Sequence, residues 1–246
     1  MAAYTPAVPD TGPELVRAHA VSVTRYEIGA RKNRVIVVDN AIADADACVD
    51  MAASLAPFDA EASTFYPGLR RLITPADSEA QGYVEALLAM ASPLLREAFG
   101  AEAVELAEAS FSMVTRRPDQ LKPSQRIPHY DSVEPGYVAI LHYLTDIADT
   151  GTCFYRHRAT GFDRVSRHTL PTYSSVLAFE GAAEVGGFIG DSNDRFERLL
   201  RVDGKFNRLL IYESALLHSG FIPDDFAFSD NPRTGRLTGN LFVRIR

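Results

Sequence analysis

Apolar residues recur along this chain at two different spacings. In the first hundred positions the dominant spacing is helical. Val84, Leu87, Leu88, Ala91, Leu94 and Leu95 return at steps of three and four. They predict a helix from residue 77 or 78 to residue 99, closed by Gly100. Pro93 falls inside the pattern and predicts a kink or a division into two shorter helices. Residues 43–55 suit another helix, whose early aspartates complement the positive end of the helix dipole. Residues 34–39 are a compact β-branched run and read as a buried strand. The opening stretch, to about Gly12, is rich in Pro, Ala and Thr and reads as a loose arm. Phe65-Tyr66-Pro67-Gly68 reads as turn punctuation.

After Gly100 the pattern shortens. Strand-like runs occupy residues 111–115, 137–144, 152–155, 175–179, 208–212 and 236–245, with turn residues between them. One short helix is expected near residues 193–200, and Gly186-Gly-Phe-Ile-Gly190 reads as a turn. Helices followed by many short strands predict an α+β fold, a β-sandwich or jelly roll with helices packed on one side. No internal repeat or linker divides the chain. The expected organisation is an N-terminal arm and first strand over residues 1–33, then a single jelly-roll domain over residues 34–246.

Composition narrows the function. A chain of 246 residues, 46% hydrophobic and 23% charged, has the make-up of a globular protein with one well-buried core. The balance of 25 basic against 32 acidic residues gives −7, a poor basis for nucleic-acid binding. It leaves room for a local basic pocket that holds a small anion. The apolar runs are too short to cross a bilayer, so no membrane association is expected. The neutral, proline-broken start is not a secretory signal, so a cytoplasmic location is expected. Cys48 and Cys153 are too few for a disulfide scaffold or a thiolate zinc site and are expected as buried small residues.

Six histidines remain as candidate chemistry: His19, His129, His142, His157, His168 and His218. His129 lies in Arg126-Ile-Pro-His129-Tyr-Asp131. In an extended segment, positions i and i+2 point the same way, so His129 and Asp131 can offer an imidazole and a carboxylate to one ion. His218 follows a predicted strand well downstream. Two histidines and one carboxylate, with other positions open, form the facial triad of non-haem Fe(II) oxygenases. A His-x-Asp tripeptide is weak by itself, and the order of its companions strengthens it. Arg236 and Thr238 share a face of the last strand, where a guanidinium beside a hydroxyl suits a carboxylate. His142, in an apolar strand, reads as a satisfied core or pocket histidine. His19, His157 and His168 read as solvent or loop residues. The basic stretches at residues 155–158 and 164–168 read as solvated loops, with a pocket rim as the alternative.

His129-x-Asp131, His218 and Arg236-x-Thr238, in that order, resemble the Fe(II)- and 2-oxoglutarate-dependent dioxygenases. The likeness is nearest to the prolyl-4-hydroxylase-like branch and to bacterial members of the superfamily. Ile140-Leu-His-Tyr-Leu-Thr-Asp146, with Gly151-Thr-Cys-Phe-Tyr155, resembles that branch's strand after the metal motif and its glycine-led return strand. The resemblance spans about residues 34–246. It implies a double-stranded β-helix of the jelly-roll, cupin-like kind, with N-terminal helices packed on the larger sheet. It implies Fe(II) held by His129, Asp131 and His218 as the catalytic centre. It also implies 2-oxoglutarate as co-substrate, anchored by Arg236 with help from Thr238. The implied reaction uses O2 to hydroxylate a small-molecule or peptide substrate, releasing succinate and CO2. Two features depart from the branch: Thr150-Gly151 replaces a common double glycine, and the gap between His218 and Arg236 is long. Arg233 and Arg244 are therefore the alternative anchors. Two other classes remain open: a non-catalytic jelly roll that binds a metal or ligand, and a zinc hydrolase using the same triad. A homo-oligomer is compatible with the sequence.

Overall fold

A computed structural model of the chain describes residues 20–60, 66–181 and 186–246. The expected opening arm, His19 and Phe65 lie outside them. Among the described residues, eleven strands make two antiparallel sheets. The larger sheet begins with the hairpin of β1 (Ser22–Ile28) and β2 (Asn33–Asp39). It continues through β9 (Arg208–Glu213), β6 (Tyr137–Tyr143), β11 (Leu237–Ile245), β5 (Val104–Val114), β4 (Gly68–Leu72) and β3 (Asp59–Ala60). The smaller sheet has β7 (Gly151–His157) at its centre, between β10 (His218–Phe221) and β8 (Phe196–Asp203).

Strand alternation decides what each face of the larger sheet meets. Ile36 and Val38 of β2, Leu209 and Ile211 of β9, and Leu237, Leu241 and Val243 of β11 face the helices. There they pack with α1 (Ala45–Ser54) and α2 (Ser78–Phe99), through Cys48, Ala52, Val84, Leu87, Ala91 and Leu95. The other face of β2, β6 and β9 carries Val35, Val37, Ala139, Leu210 and Tyr212, which pack with Phe154 and Val202 of the smaller sheet. The larger sheet is thus buried on both sides, and the smaller one encloses its inner face.

Local signals account for the two long helices. The Asp44 carboxylate accepts a hydrogen bond from the Ala47 amide at 3.0 Å and caps α1. Gly100 closes α2 with a φ of 69°, donating its amide to the Arg96 carbonyl. The division expected at Pro93 does not occur, and α2 is one helix of 22 residues. Proline there removes the bond to the Ala89 carbonyl, and both residues lie on the exposed side, where water can take that carbonyl's place.

Elsewhere the expected elements are reversed. Residues 175–179, expected as a strand, belong to α3 (Leu170–Glu180). A short apolar run fits either element. The punctuation at Pro171, in the first turn, and Gly181, after the last, is that of a helix. Residues 193–200, expected as a helix, lead into β8, which pairs with β7 along its length. Cross-strand pairing overrides the weak local preference of this arginine-rich segment. Residues 186–188 form a bend, in keeping with the expected turn. Among the described residues, no helix is long and apolar enough to cross a membrane.

Candidate metal centre

Two segments that are distant in sequence meet at the open edge of the smaller sheet. The His129 amide donates to the His218 carbonyl at 2.8 Å, and the His218 amide returns the bond to His129 at 2.8 Å. The Asp131 amide donates to the Ser214 carbonyl, also at 2.8 Å. These bonds hold the His-x-Asp segment extended, so both side chains face His218. Potential ligand atoms of His129, Asp131 and His218 lie within 4.8 Å of one another. Nε2 of His129 and Nε2 of His218 approach the Asp131 carboxylate at 3.7 and 3.5 Å. Those separations are too long for hydrogen bonds, and a modest closing of the set would place all three groups on one ion.

The protonation pattern suits a cation. Nδ1 of His218 lies 2.9 Å from the Leu216 carbonyl, which can only accept, so Nδ1 carries the hydrogen and Nε2 offers its lone pair. Burial, reinforced by His218 beside it, holds the His129 pKa well below its ordinary value, which keeps that imidazole neutral. Burial raises the pKa of Asp131, against the pull of His218 and Arg70. A carboxyl group and two imidazoles gathered at one point make a site that a divalent ion would complete.

The triad opens into a cavity of about 430 Å³ between the two sheets. Part of its wall is built by β11 and the residue before it. Arg236, Thr238, Asn240 and Phe242 alternate onto the inner face, while Leu237 and Leu241 serve the core behind. Arg236 is 5% exposed. It donates from Nη2 to the Gly151 carbonyl at 2.9 Å and lies over the Tyr143 ring at 5.5 Å, but its buried Nε has no partner. The buried Tyr66 hydroxyl on the same wall also lacks a well-formed hydrogen bond. Burial pushes its pKa up to about 12, with Arg236 and the hydroxyls of Ser112 and Thr238 pulling the other way. Two buried polar groups without a complete set of partners, on residues that line one cavity, leave room for a polar guest.

The alternative arginines are placed elsewhere. Arg233 pairs with Asp50 at the surface. Arg244 lies 5.8 Å from the Tyr137 ring, beyond the cavity. The single glycine at 151 has a steric reason, since a Cβ there would sit 2.2 Å from the Val202 carbonyl oxygen of β8.

Several expectations about histidines and basic stretches are also settled. His142 is a core histidine, with Nδ1 at 3.1 Å from the Tyr83 hydroxyl and Nε2 at 3.1 Å from Asn207. His157 corrects the sequence reading. It is fully buried on β7, between Thr160 at 2.9 Å and Glu180 at 3.0 Å, and those partners make a buried ring tolerable. Arg156, Arg164 and Arg167 pair with Glu197, Glu213 and Glu134. They do not line the cavity.

Sequence reasoning missed Arg70 and Glu108 on the cavity wall and gave Tyr66 no individual role. Tyr66 lies in a segment whose proline and glycine signal only a turn. Arg70 and Glu108 stand on strands whose inner faces only the sheet register reveals.

Solved structures show the same overall architecture at low identity. SnoN, described as a non-haem α-ketoglutarate-dependent epimerase from nogalamycin biosynthesis, matches with a TM-score of 0.53 and 12% identity, over 87% of this chain and 79% of its own. HygX from Streptomyces hygroscopicus, with nickel and 2-oxoglutarate bound, matches at 0.49 and 15% identity, over 86% and 82%. A prolyl hydroxylase from Trichoplax adhaerens, in complex with a hypoxia-inducible-factor peptide fragment, matches at 0.48 and 12%, over 87% and 85%. No curated protein matches the sequence. The mixed, mainly antiparallel fold is therefore shared with enzymes dependent on 2-oxoglutarate, SnoN carrying the comparison. At the level of sequence the match runs over residues 19–243, and the chain belongs to DUF6445, a family of unknown function.

Proposed function

We propose that this protein is an Fe(II)- and 2-oxoglutarate-dependent oxygenase on a double-stranded β-helix, hydroxylating a small organic or peptide substrate. One observation carries the reading. A single cavity is lined both by an open three-ligand set and by Arg236 and Tyr66, whose buried Nε and hydroxyl lack a well-formed hydrogen bond. A zinc hydrolase needs the first feature but not the second. The fold likeness to SnoN supports the same cofactor set.

Each residue has a defined task. His129, Asp131 and His218 would hold the metal by three ligands, leaving positions for the co-substrate and O2. Bound there, Fe(II) with 2-oxoglutarate would supply O2 activation, one oxygen atom turning a substrate C–H bond into C–OH and the other entering succinate as 2-oxoglutarate loses CO2. Arg236 would take the distal carboxylate, with Tyr66 and Thr238 as hydroxyl partners. The Gly151 carbonyl keeps the guanidinium from swinging away, and Tyr143 supports its face. Leu216 fixes the ring of His218 through its carbonyl. Apolar and aromatic walls from Ile222, Phe188 and Tyr212 limit water in the cavity.

The test is an anaerobic Fe(II) titration with and without 2-oxoglutarate, followed by visible absorption. The expected result is a charge-transfer band that requires both components and disappears in His218→Ala. Arg236→Ala should weaken 2-oxoglutarate binding and spare the metal. Tight Zn(II) binding without a band would favour the hydrolase, and no metal binding would favour a non-catalytic scaffold. Either result would overturn the proposal.

A further inference from the structure

The cavity wall carries a second pair of charges besides the triad and Arg236. Arg70 stands on β4 and Glu108 on β5, their side chains 21% and 38% exposed and paired with each other. Nε of Arg70 also donates at 3.0 Å to Ser110, which is fully buried, so the guanidinium is fixed to the wall. Arg70 and Glu108 line the same cavity as His129, Asp131 and His218. Tyr137 stacks on Phe242 with ring centres 5.7 Å apart and planes at 16°, and both rings line the same cavity.

Charge balance argues for what would bind there. With the proposed contents in place, the dication, Asp131, the 2-oxoglutarate dianion and Arg236 neutralise one another. Arg70 and Glu108 neutralise each other too. A substrate with net charge would leave an uncompensated charge in a partly desolvated cavity. A purely apolar substrate would cover two charged groups without using them. A zwitterion uses both, since its carboxylate can join the guanidinium and its ammonium the Glu108 carboxylate.

We propose that Arg70 and Glu108 are the substrate anchor of this cavity. The substrate is then a neutral zwitterion of amino-acid type, its side chain lying toward the Tyr137–Phe242 stack. This inference rests on the oxygenase reading for its charge balance. The competing explanation is a cross-strand ion pair that only joins β4 to β5, an arrangement worth about 0–1 kcal/mol at such exposure.

The probes are the common L-amino acids, each compared with its decarboxylated amine and its deaminated acid. Binding is measured by calorimetry and thermal shift on the protein loaded with redox-inert Ni(II) and 2-oxoglutarate, and again on the metal-free protein. At least one amino acid should bind, more tightly than its amine or its acid. Arg70→Gln and Glu108→Gln should each weaken that binding about tenfold or more, with metal and 2-oxoglutarate affinities unchanged. The proposal fails if no amino acid binds in either state. It fails if the amine or acid binds as well, or if the single variants bind like the parent. Loss of 2-oxoglutarate binding in Arg70→Gln would assign Arg70 to the co-substrate and also overturn it. Failure of the oxygenase reading would show separately, as absent Ni(II) and 2-oxoglutarate binding in the parent protein. The metal-free titration would then still decide the role of the pair.

Discussion

His218 shows how one side chain is prepared for its task. Its amide and carbonyl are paired with His129, its Nδ1 hydrogen is held by Leu216, and only Nε2 is left to act. His129→Ala or Asp131→Ala should therefore abolish Fe(II) binding, and unchanged metal stoichiometry in both variants would sink the triad. Tyr66 is a subtler case, because its hydroxyl is buried without a well-formed hydrogen bond and feels the charge of Arg236. Tyr66→Phe removes only that oxygen. It should raise the Kd for 2-oxoglutarate about tenfold, as for one hydrogen bond to a charged group, and leave metal affinity unchanged. A titration of the charge-transfer band reads both quantities. His129 and Asp131 could be picked out from their i, i+2 spacing. Tyr66 could not, because nothing local shows that its hydroxyl lacks a well-formed hydrogen bond.

The contact between α2 and the larger sheet turns on a polar joint inside an apolar layer. Tyr83 of α2 reaches the His142 ring on β6, and Asn207 completes the other side. Gly239 of β11 makes room, since a Cβ there would lie 1.8 Å from the Tyr83 hydroxyl. Gly239→Ala should destabilise the fold by roughly 1–3 kcal/mol, as overpacking does, and urea unfolding would measure it. His142 also makes stability depend on pH. Burial lowers its pKa from 6.5 to about 4, partly offset by Asn207. Above about pH 6.5 the ring is neutral in both folded and unfolded chains, and the fold carries no penalty. As pH falls from there toward 4, the unfolded chain takes up a proton that the folded chain refuses. Stability should decline by roughly 3 kcal/mol across that window. His142→Gln should flatten this part of the profile, and an unchanged slope would refute the assignment. The helical period of α2 was legible from its leucines, and so was the core setting of His142. The joint itself was not, because it depends on which residue of β11 lies under Tyr83.

Across the molecule, two sheets share one architecture and divide its labour. The helix-facing side of the larger sheet is apolar apart from His142, whereas its inner side changes from apolar on β2 and β9 to polar on β4, β5 and β11. The cavity occupies that polar stretch, with the smaller sheet as its opposite wall. Gly151 ties the halves together, through its carbonyl to Arg236 and its bare Cα against β8. Gly151→Ala should both lower the melting temperature and weaken 2-oxoglutarate binding, since the same backbone serves both. A variant that melts lower but binds normally would show that the Arg236 anchor does not depend on this contact.

Backbone periodicity is a local property, and the features that depend on it are legible in the sequence by itself. They include α2, the strands carrying His142, Leu210 and Arg236, and the shared face of Arg236 and Thr238. The exchange of helix and strand between residues 175–179 and β8 marks the limit of local reading. A short apolar run satisfies both elements, and pairing with β7 supplies the deciding energy. Cavity membership lies further out of reach. Tyr66, Arg70 and Glu108 join His129 and His218 only through the register of β4, β5 and β11. The burial of His157 likewise follows from the Glu180 carboxylate that α3 brings to it. A sequence carries the chemistry of each side chain and the period of its neighbours. Which distant groups share a desolvated space is set by packing, where a small shift in register would turn the same residues outward.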